Sequence, residues 1–241
     1  MIQEVGARCW YDGAHVLGLI AGGQFQDPLR EGADVMTGSA GKTFSGPQSG
    51  IMIWNDPRLT EPLTHAVFPV WAATHQVNRV AALSYAAAEL LAFGRVYMAA
   101  IVANAQALAR ALQERGIPCL AAHKGFTRSH QAIADVRQWG GGYAAADRLQ
   151  AANIIVNKNL IPGNRPEDWD KPSGIRIGTI EVTRLGMGPA EMAAIADFMH
   201  DVLVKGENPQ AVRKRVVAFR RGIQTLYYCF ETGLPPGLRE K

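Results

Sequence analysis

The spacing of apolar and polar positions changes several times along the chain. Three short apolar runs come first: Arg8-Cys9-Trp10-Tyr11, which ends at Asp12; 33–36, which leads into a loop of small residues; and 50–54, closed by Asn55-Asp56. Their length and bounding turn residues predict strands. From 75 to 93, "HQVNRVAALSYAAAELLAF" has helical spacing, and a second helix is expected over 96–115, with Gly116 as its C-cap. Strands are then predicted at 117–121 and 131–136, a helix near 143–152, and further strands at 153–156 and 174–179. Pro189 opens a last core helix that runs to about residue 204. Strands and helices in this order, with no internal repeat, predict an α/β or α+β fold. A boundary is expected near residue 94. Residues 206–241 read as a separate basic helix, stopped by "GLPPG".

Composition narrows the class. The 241 residues are 48% hydrophobic, enough for one large core or two modest ones. No run approaches the roughly 20 uninterrupted apolar residues of a membrane span, and the first residues do not have the pattern of a signal peptide. Cys9, Cys119 and Cys229 are scattered and form no CxxC pair. A reduced, soluble, cytoplasmic protein is the expectation. The formal charge of +4 lies in residues 206–241, which hold seven Lys/Arg and three Asp/Glu; the other 205 residues carry 18 of each sign. A basic tail on a neutral body is what a solvated helix face gives, so neither a nucleic acid nor a membrane is expected as partner.

Three polar residues stand at or near the ends of apolar strands: Asp12, Lys42 within "TGSAGKTFSGPQSG", and Arg176 within "GIRIGT". Strand-end loops are where α/β enzymes build their sites. A lysine among small residues can condense with an aldehyde. A carboxylate can hold a cofactor's ring nitrogen protonated, and an arginine can grip a substrate carboxylate through two hydrogen bonds. Together they form the minimum set for a pyridoxal phosphate enzyme acting on an amino acid. Each also has an ordinary reading: a turn residue, a solvated loop and a surface salt bridge. The six histidines show no HExxH or paired spacing, so no metal site is expected. His130 reads as structural, "QWGGGY" (138–143) as a flexible turn, and "VVAFRRGIQTLYYCF" as packing surface.

Four segments, "YDGAHVLGLIAGG", "TGSAGKTFSGPQSG", "VNKNLIPGN" and "SGIRIGTIEVTRLGM", resemble the serine hydroxymethyltransferase family in order and spacing, over about residues 4–204. The resemblance implies the C-terminal part of a fold-type I pyridoxal phosphate-dependent transferase. Residues 1–94 would belong to the large cofactor domain and 95–205 to the small domain. It implies Lys42 as the lysine that holds the cofactor, Asp12 on the ring nitrogen, His15 near the ring hydroxyl and the substrate, and Ser39 on the cofactor. Arg176 would take the substrate carboxylate and Asn159 would lie near the pterin of tetrahydrofolate. The activity implied is cleavage or formation of the Cα–Cβ bond of a β-hydroxy amino acid with one-carbon transfer.

The motifs also depart from the family's pattern. The family's histidine before the lysine is Gly41, the arginine of its G-P-R is Gln48, and its Q-G-G-P is Ala72-Ala73-Thr74-His75. Backbone amides of Ala73 and Thr74 remain able to reach a neighbouring subunit's cofactor phosphate. These changes open two alternatives: aldehyde exchange of the threonine aldolase or transaldolase type, and a non-catalytic assembly subunit. The family's phosphate cup, ring-stacking histidine and folate-site carboxylate and tyrosine lie upstream of the matched region. The resemblance therefore implies a split enzyme, with a second polypeptide supplying the N-terminal half and the pair doubled into a symmetric assembly.

Overall fold

A computed structural model describes residues 3–238. The chain divides into two compact units, residues 1–98 and 99–241. The division falls inside one helix.

The first unit is built on a three-stranded sheet of order β1-β2-β3, with β1 at Trp10–Asp12, β2 at Val35–Ser39 and β3 at Gly50–Trp54. β1 and β2 are parallel, pairing Trp10 with Val35 and Asp12 with Thr37, and β3 returns antiparallel. A short helix, α1 (Leu17–Ala21), fills the crossover that parallel pairing requires. Leu17, Met36, Ala40, Phe44 and Ala86 form a small core beneath it. After α2 (Thr60–His65) a π-helical turn over Ala66–Trp71 leads to α3 (Val77–Glu114).

α3 is one helix of 38 residues where two were expected. Gly94, between the two expected helices, lies where the end of α1 approaches: a Cβ on Gly22 would sit 2.7 Å from the Gly94 carbonyl. Small residues here allow the close packing, and the helix passes through. By length and composition α3 is also apolar enough to cross a bilayer, with a mean hydropathy of 1.6 over its most apolar 18 residues. Its last turns belong to the second unit, where Leu108, Ala109 and Leu112 are buried in the core. Gly116, in a left-handed conformation, ends α3 as the sequence predicts.

The second unit carries an antiparallel sheet of order β4-β6-β5, formed by Gln131–Asp135, Gly174–Gly178 and Asn157–Asn159. Helices α4 (Gly141–Ala151), α6 (Pro189–Leu203) and α7 (Pro209–Arg221), with the end of α3, supply its core, and α5 (Ile180–Arg184) follows β6 directly. Ala132, Ala134, Ile175 and Ile177 point into that core by strand alternation. Pro189 begins α6, and the Glu191 carboxylate accepts the Gly188 amide at 2.7 Å.

Four expectations change here. Residues 117–121 contribute only a bridge between Cys119 and Ala134, and 153–156 are not a strand; pairing begins at Asn157. "QWGGGY" is no flexible turn. Gly140 and Gly141 take left-handed angles, and Gly142 packs so closely that a Cβ would lie 2.6 Å from the Gly174 carbonyl. The tail is not one helix to its end: α7 stops at Arg221, and the chain folds back so that the Tyr227 amide donates to the Arg184 carbonyl at 2.8 Å. The packing expected of "VVAFRRGIQTLYYCF" is present: Val216, with Val212 one turn before it, is buried in the core of the second unit.

Candidate active site

Because β1 and β2 are parallel, their carboxyl ends lie at the same edge of the sheet, and that edge gathers most of the candidates. Asp12 is the last residue of β1 and pairs with Thr37. Ser39 ends β2, and Lys42 follows three residues later. His15 lies in the turn between β1 and α1. A carboxylate, a hydroxyl, an amine and an imidazole thus share one strand-end cluster.

The turn that carries Lys42 is held by its backbone. The Ala40 amide donates to the Ser49 carbonyl at 2.9 Å, Gly46 to Ala40 at 2.8 Å and Ser45 to Lys42 at 2.9 Å. Thr43 is fully buried and locks the turn to α1: its hydroxyl accepts the Gly18 amide at 3.0 Å and donates to the His15 carbonyl at 3.1 Å. Gly18 has to be glycine, because a Cβ there would lie 2.1 Å from the Thr43 carbonyl oxygen. Thr43 was not among the residues singled out from sequence. Its signal was a hydroxyl residue at the start of the apolar step Thr43-Phe44, where a loop would place a solvated group.

Ala40 and Thr43 on either side of Lys42 are buried, and the lysine itself is exposed. Sequence reading anticipated a niche around the amine; in this chain the packing lies beneath the turn instead. Among the described residues Lys42 makes no ion pair and no side-chain hydrogen bond, so its amine is not committed. Asp12 is exposed and accepts one hydrogen bond, from the Ala14 amide at 2.9 Å, which leaves its other carboxylate oxygen open. Next to it, the Tyr11 hydroxyl donates to Gln26 at 2.9 Å, and burial together with the Glu31 carboxylate raises its pKa. The Trp10 indole donates to the Thr37 hydroxyl at 3.0 Å. Gly41 faces Gln48, whose side-chain carbonyl would lie 3.4 Å from a Cβ at that position.

Ala73 and Thr74 lie in the exposed link between the π-helical turn and α3, not at the sheet edge. Arg176 and Asn159 belong to the second unit. Arg176 sits on the central strand β6, paired with Ile133 and Asn157; Asn159 pairs with Gly174. Residues directly opposite one another share a face, so Arg176, Asn157 and Asn159 project from the side away from Ile175 and Ile177. Arg176 is half-buried and, among the described residues, has no carboxylate partner. The Asp135 carboxylate on the neighbouring strand is taken by Arg137 at 3.0 Å.

The sequence model of the serine hydroxymethyltransferase family matches residues 1–199. The chain belongs to the serine hydroxymethyltransferase family. It is 49% identical over 229 residues to a serine hydroxymethyltransferase of Methanocella arvoryzae, covering 95% of this chain and 54% of that relative. It is 49% identical over 244 residues to the enzyme of Thermococcus kodakarensis, covering 99% and 56%. The chain therefore spans about half the length of the curated relatives it matches. Among solved structures, the L-threonine transaldolase of Pseudomonas fluorescens superposes with a TM-score of 0.82 at 32% identity, over 93% of this chain and 51% of that one. The mixed α/β fold is accordingly that of a pyridoxal phosphate-dependent transferase, over about half of the reference chain.

The residues present fit that cofactor. An uncommitted amine, an open carboxylate oxygen and a hydroxyl converge on one strand edge of this serine hydroxymethyltransferase-family chain. That donor set matches an aldehyde, a protonated ring nitrogen and a hydrogen-bonding substituent.

Proposed function

We propose that this chain provides the cofactor-holding lysine and the carboxylate-binding arginine of a pyridoxal phosphate enzyme. The enzyme cleaves and forms the Cα–Cβ bond of a β-hydroxy amino acid, of the serine/glycine or α-methylserine/alanine type, and passes one carbon to tetrahydrofolate. The observation that carries this reading is the gathering of Asp12, His15, Ser39 and Lys42 at one sheet edge in a chain of this family. Pyridoxal phosphate, when bound, supplies a sink for the electron pair left on Cα.

The chain's own residues do the rest. The Lys42 amine would hold the cofactor through its aldehyde. The Asp12 carboxylate accepts a hydrogen bond from the protonated ring nitrogen and keeps the proton there. His15 orients the ring hydroxyl and the substrate, and Ser39 donates to the cofactor. Arg176 fixes the substrate carboxylate through parallel hydrogen bonds. Asn159 hydrogen-bonds the pterin edge. The amides of Ala73 and Thr74 serve the phosphate held by a neighbouring subunit.

The same reading holds that the working enzyme needs a second polypeptide carrying the half that this chain does not span, assembled into a symmetric oligomer. An exposed apolar stretch supports it: Trp71 is 86% exposed and Leu91 90%, and Val70, Val77 and Val80 are exposed as well. Patches of this kind are normally covered. A second chemistry, transfer to an aldehyde, is favoured by the likeness to L-threonine transaldolase and by glycine at position 41, where the family's pattern has histidine.

The test is a visible absorbance spectrum with added pyridoxal phosphate. It is recorded on this chain alone and on the chain co-expressed with the unspanned half of the Methanocella arvoryzae relative. A cofactor band in the co-expressed sample alone, lost in Lys42→Ala, is the expected result. No band in either sample leaves a non-catalytic assembly subunit.

A further inference from the structure

The second unit contains a cavity of about 380 Å³ between β6, α5, α6 and α7. That volume holds about a dozen water molecules and lies within the range of small-molecule sites, about 300–1,000 Å³. Val182, Ile195, Phe198 and Phe219 form its walls. Phe198 and Phe219 meet edge to face, with ring centroids 5.6 Å apart, and join α6 to α7 across it. Behind the walls the core is closed, since Met192 and Met199 are fully buried. The wall side chains pack against that core and are only partly buried. An apolar wall gives water few partners, so the space favours an apolar occupant.

The rim selects among apolar occupants. Glu181 and Arg220 stand there with opposite charges, which draws in neither a net anion nor a net cation. The Arg220 guanidinium donates to the Ile223 carbonyl, and the Thr179 hydroxyl is directed at the Ile101 and His130 carbonyls. The exposed Glu181 carboxylate is a charged acceptor at the rim that a ligand can reach.

We infer that this cavity binds a neutral aromatic molecule with one N–H or O–H donor, of the indole or phenol class. The ring lies between Val182, Ile195, Phe198 and Phe219, and the donor is on Glu181. The site lies wholly within the second unit and does not depend on the cofactor chemistry.

Indole titrated into the full chain labelled with ¹³C-methyl methionine tests it. The Met192 and Met199 methyls, identified by Met→Leu variants, are expected to shift saturably, while Met52 on β3 does not. Glu181→Gln is expected to weaken binding about tenfold by loss of the charged acceptor. A filling variant, Ile195→Trp, is expected to abolish the shifts with the melting transition retained. The control Val217→Ala, on the exposed face of α7, is expected to bind as the wild type does. Absent or non-saturating shifts at Met192 and Met199 in the unmodified chain overturn the proposal whatever the variants do. So does undiminished binding in a folded Ile195→Trp.

Discussion

The Thr43 hydroxyl lies 3.0 Å from the Gly18 amide nitrogen, whose hydrogen it accepts, and this contact fixes the lysine turn against α1. One buried side chain therefore sets the position of Lys42 relative to the strand that ends in Asp12. Thr43→Val keeps the shape but strands the Gly18 amide and the His15 carbonyl. The expected loss is about 1–3 kcal/mol of stability, read by urea unfolding, with a matching fall in pyridoxal phosphate affinity. Thr43→Ser restores most of both. Wild-type stability in Thr43→Val contradicts the role given to the hydroxyl.

Arg176 is expected to matter for substrate and little for the fold. It is half-buried on a central strand and, among the described residues, has no carboxylate partner. Arg176→Lys keeps the charge and loses the paired hydrogen bonds, a loss of about 1.5–3 kcal/mol in binding the carboxylate. Steady-state kinetics of the assembled enzyme are expected to show kcat/KM down about 10- to 100-fold, mostly through KM. An unchanged KM for the amino acid removes Arg176 from the carboxylate site.

The junction of α6 and α7 carries a pH dependence. The Asp201 side chain is 8% exposed and bonds to Lys205 at 2.8 Å and Arg215 at 2.7 Å. Burial works to raise its pKa, but the hydrogen bonds from Lys205 and Arg215 outweigh it and hold the carboxyl below its ordinary value. A depressed carboxylate pKa stabilises above the unfolded value, near 3.9, and the stabilisation is lost as pH falls through the folded pKa. Asp201→Asn is expected to cost about 1 kcal/mol at pH 7, the figure being small because both cations are half-exposed. The difference from wild type is expected to shrink with acidification. A gap between the two unfolding curves that persists at the lowest pH assigns the effect to shape instead of charge.

The strand ends were legible in the sequence because they carry polar residues at the close of short apolar runs: Asp12, Lys42 and Arg176 stand out for that reason. Pro189 and Gly116 marked their helix ends through local backbone preference. What escaped depended on distant contacts. Gly94 resembles a helix break unless the close approach of Gly22 is known, and Gly142 resembles a flexible hinge unless it is known to face the Gly174 carbonyl. Thr43 reads as a loop residue until the Gly18 amide is placed above it. The tail's turn back at Gly222 follows from pairing of Tyr227 with Arg184, a contact that local propensity does not encode.

The most direct test of the central claim is where the cofactor becomes attached. The chain, co-expressed with the half it does not span, is incubated with pyridoxal phosphate, reduced with borohydride and digested. Mass mapping is expected to find the pyridoxyl group on the peptide containing Lys42 and on no other lysine peptide. Label spread over exposed lysines, or retained at wild-type level in Lys42→Ala, contradicts the assignment of Lys42 as the lysine that holds the cofactor.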